Sequence, residues 1–178
     1  MQRYVAFLRG INVGGNKKVP MVKLTEVLKK AGFANVQTLL ASGNILLETD
    51  VRSTEAIRKK MEAVIEKTFG FTSHTIVRKF AELEKLSKSN PFTKIKLTKD
   101  TRFYITFLSE KPKSTLKIPW ASANKDYTIL KVTDGEICSV LDLSKGMGTI
   151  DSMAILEKEF GKNITTRNWN TVQKLLVK

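Results

Sequence analysis

The sequence predicts an α+β fold, and three observations predict it. Short apolar runs alternate with period two, amphipathic stripes of helical spacing lie between them, and two glycine-bearing turns each join a pair of strand-like runs. Arg3 to Arg9 is the first strand, with Tyr4, Ala6 and Leu8 on one face and Val5 and Phe7 on the other, a two-sided apolar pattern expected of a central strand. A loop rich in glycine and asparagine leads from it to Pro20, which suits the first position of a helix. The stripe Leu24, Val27, Leu28 and Ala31 continues that helix, and Gly32 ends it.

Val36 to Ala41 and Ile45 to Thr49 read as two strands joined by Ser42-Gly43-Asn44, where Gly and Asn tolerate positive φ. Ser53 or Thr54 caps a second helix with the stripe Ile57, Met61, Val64, Ile65 and Phe69, closed by Gly70. Thr72 to Val77 returns as a strand. The order is β-α-β-β-α-β, the ferredoxin-like pattern, and residues 1–78 are assigned to a first subdomain.

Residues 79–178 are expected to form a second ferredoxin-like subdomain, with an extra terminal helix, packed against the first. A short helix carries Phe80, Leu83 and Leu86 and stops at Asn90-Pro91. An exposed, lysine-rich connection leads to a strong strand at Arg102 to Leu108. Pro112 and Pro119 break Lys111 to Asn124 into short helical or irregular pieces. Tyr127 to Val132 and Ile137 to Leu143 form a hairpin around Asp134-Gly135. A helix follows from about Asp151 to Phe160, and Asn168 is expected to cap the last helix, with Trp169, Val172 and Leu176 inward. The two halves share a pattern of elements and no visible sequence identity.

The chain has 178 residues and a formal charge of +14. That length buries a sizeable core without a staple, and the single cysteine, Cys138, has no intramolecular partner. The first apolar run is too short for a signal peptide or a membrane span, so a cytoplasmic protein with no membrane association is expected. The positive charge suggests a polyanion, yet the excess divides evenly between the halves and lysines far outnumber arginines, which suits a solvated surface as well as a nucleic-acid face. Lys85 to Lys125 is the most basic stretch.

Three polar clusters are candidate sites. In the first loop, Arg9, Gly10, Asn12, Gly14, Gly15, Asn16 and Lys17 combine permissive backbone with donors ahead of a helix start, a setting that favours anions. The loop fails the Walker spacing, since Asn16 separates glycine from Lys17 and no Ser or Thr follows, and it fails the dinucleotide spacing. The second cluster is the hairpin tip Ser42, Gly43 and Asn44; the third is Arg167, Asn168, Trp169 and Asn170, rich in donors for a mere helix cap. His74 is the only histidine, with no second ligand near it in sequence, so no metal is expected. Cys138 alternates with Val140 as a small buried apolar residue, and Ser42 lacks a nucleophile-elbow setting. No cofactor motif is complete. RNA recognition by stacking is not expected in the first half, where Ile45 to Thr49 has no aromatic; Phe103, Tyr104 and Phe107 leave that mode open in the second.

Taken together, Leu8–Asn16, Gly32-Phe33, Ser42-Gly43-Asn44, Asn90-Pro91-Phe92, Gly146-Met147-Gly148 and Arg167–Val172 resemble the bacterial domain-of-unknown-function 1697 family. The resemblance spans nearly the whole chain and implies two ferredoxin-like subdomains with no established activity. Where the family tends to place a Ser-Lys pair after its Gly-x-Gly, this chain has Thr149-Ile150-Asp151-Ser152-Met153 and lacks that lysine.

The leading expectation is a cytoplasmic binding protein whose three clusters form a composite site for an anionic or phosphate-bearing ligand. A second reading is nonspecific nucleic-acid binding through Lys85 to Lys125, and a third is an enzyme using the same cleft, with Arg9 or Lys17 as electrostatic stabiliser and no nameable nucleophile or base.

Overall fold

A computed structural model describes residues 1–178 as a mixed α+β protein with two antiparallel sheets and five α-helices. The chain divides into two compact units, Met1–Lys85 and Leu86–Lys178.

In the first unit the order is β1 (Gln2–Leu8), α1 (Met21–Lys30), β2 (Ala34–Leu39), β3 (Asn44–Thr49), α2 (Thr54–Phe69) and β4 (Thr75–Lys79). The strands lie in the order β2-β3-β1-β4, and β1 pairs antiparallel with both β3 and β4. Its two-sided apolar pattern thus belongs to a central strand, as its residues require. Tyr4, Ala6 and Leu8 point into a core with Ile45 and Leu47 of β3, Val77 of β4, Leu24 and Leu28 of α1, and Ile57, Met61 and Ile65 of α2. Fully burying each such aliphatic chain contributes about 1.5–3 kcal/mol, which is what holds the helices on this face.

Local chemistry sets the ends of the helices. The Ala56 N–H donates to Ser53 Oγ (3.2 Å) at the start of α2, and Gly70 ends it in the left-handed region at φ 77°. Pro20 stands one position before α1, and its carbonyl accepts the Leu24 N–H. A third helix, α3 (Phe80–Ser89), carries the boundary between the units. Within the first unit, Arg3 lays its guanidinium 4.0 Å from the Phe80 ring centroid.

The second unit runs β5 (Thr101–Leu108), β6 (Trp120–Ala121), β7 (Tyr127–Val132), β8 (Glu136–Asp142), α4 (Thr149–Phe160), β9 (Ile164–Asn168) and α5 (Trp169–Leu176). Its sheet order is β6-β7-β8-β5-β9, so β7-β8-β5-β9 repeats the arrangement of the first sheet. Tyr104, Leu108, Tyr127, Ile129, Ile137 and Leu141 cover one face of this sheet and pack on Leu156 of α4. The segment between β5 and β7 contains the two-residue strand β6 and no helix; Pro112 and Pro119 interrupt the N–H pattern that a helix needs.

Two details depart from expectation. Residues 164–168, where the sequence places no element before the Asn168 cap, form the strand β9 against β5. Asn168 stands at the N-cap position of α5, but its side chain makes no capping hydrogen bond.

Candidate functional site

In the first unit, the end of β1, the β2–β3 turn and the start of β4 lie at one end of the sheet, and the first loop meets the hairpin tip there. The loop closes on itself. Val13 and Asn16 form an isolated bridge, with the Asn16 N–H donating to the Val13 carbonyl at 3.1 Å. Gly14 and Gly15 between them have φ of 58° and 79°, the positive values that a type I′ turn needs at both central residues. Open space surrounds both, so these glycines serve backbone conformation and not close approach.

Gly43 is the opposite case. A Cβ there would stand 2.8 Å from Leu8 Cβ and 2.8 Å from Ile11 Cδ1, and the Gly43 carbonyl accepts the Leu8 N–H at 2.9 Å. The hairpin tip therefore lies directly on the end of β1.

Asn12 fastens the two. Its Nδ2 donates to the Val19 carbonyl (3.0 Å) and to the Ala41 carbonyl (2.8 Å), while its Oδ1 accepts the Val19 N–H (2.8 Å). Asn44 is fully buried and donates from Nδ2 to the Leu39 carbonyl (2.8 Å) and to Ser42 Oγ (2.9 Å). Both asparagines, expected as ligand donors, spend their amide N–H groups on the protein itself.

Cationic groups surround this end. The Lys17 ammonium donates to the Thr72 carbonyl at 3.1 Å and stands 5.7 Å from the Phe71 ring centroid. Arg9 is held by its backbone: its N–H donates to the His74 carbonyl (2.9 Å) and its carbonyl accepts from Ser73 Oγ (3.0 Å). His74 stands 3.5 Å, Nδ1 to Oε1, from Glu62, which also accepts the Thr75 N–H (2.8 Å) and pairs with Arg58 (2.8 Å). Burial lowers the His74 pKa; Glu62 opposes this, and Arg58 and Arg9 add to it. Ser73, His74 and Glu62 thus adjoin the loop through a turn of α2 and the start of β4, a neighbourhood that spacing along the chain does not reveal.

The third cluster lies in the second unit, at the junction of β9 and α5. Arg167 is buried and donates from Nη1 to Thr165 Oγ1 (2.7 Å) and to the Thr166 carbonyl (2.9 Å). Burial pushes its pKa down to about 10, which leaves it cationic at neutral pH. Next to it, Trp169 meets Phe92 edge to face, with centroids 5.4 Å apart, and Phe92 stacks on Phe103 at 4.5 Å and 6°. Asn90-Pro91-Phe92, β5 and β9–α5 are therefore joined through one aromatic group.

Beside that group is a cleft of about 400 Å³, lined by Leu97, Thr98, Thr101, Arg102, Phe103 and residues 168–171. Asn168 and Asn170 are exposed at its edge, and Arg102 anchors Nη1 on the Lys99 carbonyl (2.7 Å) and the Thr101 carbonyl (3.0 Å). A guanidinium has five N–H donors, so three remain beyond that anchor. This arrangement joins aromatic surface with amide and cationic donors.

The basic stretch Lys85 to Lys125 is not one face. Lys96, Lys99 and Lys125 surround a cleft near the start of β5, whereas Lys111 and Lys113 line another beyond its end. Lys111 is also paired with Asp134 at 3.2 Å. No group of three or more His, Cys, Asp or Glu side chains is placed to hold a metal ion. Cys138 is fully buried, and burial pushes its thiol up to about 12, with the Glu136 carboxylate adding to the shift.

Fold and sites together define a two-unit α+β protein with polar clusters at the ends of its sheets, without a helix long and apolar enough to cross a membrane. The chain belongs to the family described as Protein of unknown function (DUF1697), whose match covers residues 1–137. That range contains the first loop, the hairpin tip and Asn90-Pro91-Phe92, and ends before Gly146–Gly148 and Arg167–Val172. A structure described as that of conserved bacterial protein SP0830 from Streptococcus pneumoniae is similar over 99% of both chains, with a TM-score of 0.75 and 23% identity, a likeness of fold. No curated protein matches the chain.

Proposed function

We propose that this protein binds a small anionic ligand with a flat, apolar body, and that the cleft of the second unit holds it. One observation carries the reading: Arg102, Asn168 and Asn170 edge a cleft that Phe103 and Trp169 also line. An anionic group gains charge-assisted hydrogen bonds from the guanidinium, and the half-buried Phe103 ring, one face of which is already stacked on Phe92, offers its remaining surface to a planar body, while Trp169 itself is buried. The lining holds threonines, asparagines, an arginine and apolar side chains, a set suited to recognition more than to proton transfer or nucleophilic attack. Lys17 and Lys18 make the loop end of the first unit a cationic surface.

The architecture is read as two ferredoxin-like units. The strand orders β2-β3-β1-β4 and β7-β8-β5-β9 support it, with an irregular segment in the second unit where the first has α1. A cytoplasmic location accords with this reading.

The test is a titration of the full chain with nucleoside monophosphates and aromatic carboxylates, followed by amide shifts. Binding is expected to perturb the amides of residues 168–171 and to weaken about ten- to a hundredfold in Arg102→Ala, in line with the roughly 1.5–3 kcal/mol of a hydrogen bond to a charged group. Neutral nucleosides binding as tightly as their phosphates, or no shift at residues 168–171 with any of these ligands, overturns the reading.

A further inference from the structure

We infer that the second unit binds a short single-stranded oligonucleotide along two adjoining clefts, with bases toward the half-buried Phe103 and phosphates toward the exposed Lys96, Lys99 and Lys125. This deepens the proposal above and rests on it, since the first cleft supplies the base-binding half. The second cleft, of about 540 Å³, shares Thr98 and Thr101 with the first, so the two adjoin across residues 97–101. Strand register places them on one sheet face. Thr101 lies opposite Asp142 and Phe103 opposite Val140, and opposed residues project to the same side.

Leu130 and Val140 give the second cleft apolar lining, and Lys96, Lys99 and Lys125 are its exposed cations. Two of its three carboxylates have partners within the protein. Asp126 is buried and accepts from Ser122 Oγ; Asp142 accepts from Ser144 N (3.1 Å) and Oγ (2.6 Å) and lies 3.7 Å from Lys145. Leu97, 67% exposed, lines the first cleft and adds apolar surface there.

A ligand with one anionic group needs only one of these clefts. A chain that repeats a flat ring and a phosphate at short intervals uses both, and an unpaired strand is the form whose ring faces are open to aromatic side chains. Lysine, a mobile point charge, suits phosphates without reading bases. Little sequence preference is therefore expected.

The experiment is fluorescence anisotropy of the full chain with labelled oligothymidylates and oligouridylates of increasing length, beside a duplex and heparin. Affinity is expected to rise at least tenfold from the mononucleotide to about three nucleotides and then level off. The log–log salt slope should correspond to about two or three neutralised phosphates, at roughly −0.7 per phosphate. Lys96→Ala/Lys99→Ala, two exposed positions, should lower oligonucleotide affinity about tenfold and flatten that slope. Mononucleotide binding that gains nothing with length overturns this inference and leaves the small-ligand reading standing. Equal binding of duplex or heparin overturns it in favour of charge alone, and failure of both mononucleotide and oligonucleotide to bind removes both readings.

Discussion

Gly43→Ala is the sharpest perturbation of the junction between the hairpin tip and β1. At φ 74° an alanine enters the left-handed region, at about 1–2 kcal/mol. Its Cβ would also stand 2.8 Å from Leu8 Cβ, which belongs to a fully packed central strand and cannot rotate away, and 2.8 Å from the more flexible Ile11 Cδ1. Overpacking of this kind costs about 1–3 kcal/mol, so the total is about 2–5 kcal/mol. Gly14→Ala is the control: φ is 58°, nothing lies within 4 Å, and only the conformational cost of about 1–2 kcal/mol applies. Urea unfolding of both variants measures the difference, with the slope m checked for constancy. Hydrogen exchange at the Leu8 amide, which donates to the Gly43 carbonyl, reports the local effect. If Gly43→Ala lies within about 0.5 kcal/mol of Gly14→Ala, the close approach contributes nothing and the reasoning fails.

Other residues give independent tests. Asn12→Ala removes three hydrogen bonds at φ 54° and should destabilise by about 2–4 kcal/mol, whereas Asn12→Gly should recover the conformational part; wild-type stability in Asn12→Gly would show that the bonds contribute nothing. His74 has a folded pKa below its unfolded value, so the unfolded chain takes up the proton first. Its contribution is present above about pH 6.5 and is lost as pH falls through the folded pKa, and superimposable stability–pH curves for wild type and His74→Asn would refute this. Cys138, buried with its thiol pushed up to about 12, should react with a disulfide reagent at pH 8 only as fast as the protein opens; immediate stoichiometric reaction in the native state would contradict that burial.

Much of the local structure was legible because short-range physics decides it. The β2–β3 turn is marked by Ser42-Gly43-Asn44 and the β7–β8 turn by Asp134-Gly135, since few residue types tolerate the required backbone angles. The stripe Ile57, Met61 and Ile65 marks α2, and the structure buries all three. The strand β9 was not legible: Ile164-Thr165-Thr166-Arg167-Asn168 has little alternating apolar character, and it becomes a strand by pairing with β5 far back in the chain.

The candidate sites divide in the same way. Residue types alone marked the first loop, the hairpin tip and Arg167–Asn170 as polar clusters, and glycine chemistry predicted tight turns among them. Only tertiary structure decided where the donors point. Asn12 turns its amide onto the Ala41 carbonyl, which no spacing rule brings near, Asn44 turns its own back across the hairpin onto the Leu39 carbonyl, and the lysine-rich stretch separates to opposite ends of β5. The cleft beside Trp169 likewise depends on Phe92, Phe103 and Trp169 arriving from three separate segments. Periodicity and turn preference act over a few residues and are written in the sequence; strand register and side-chain packing act between distant segments, and they alone determine which polar groups remain for a ligand.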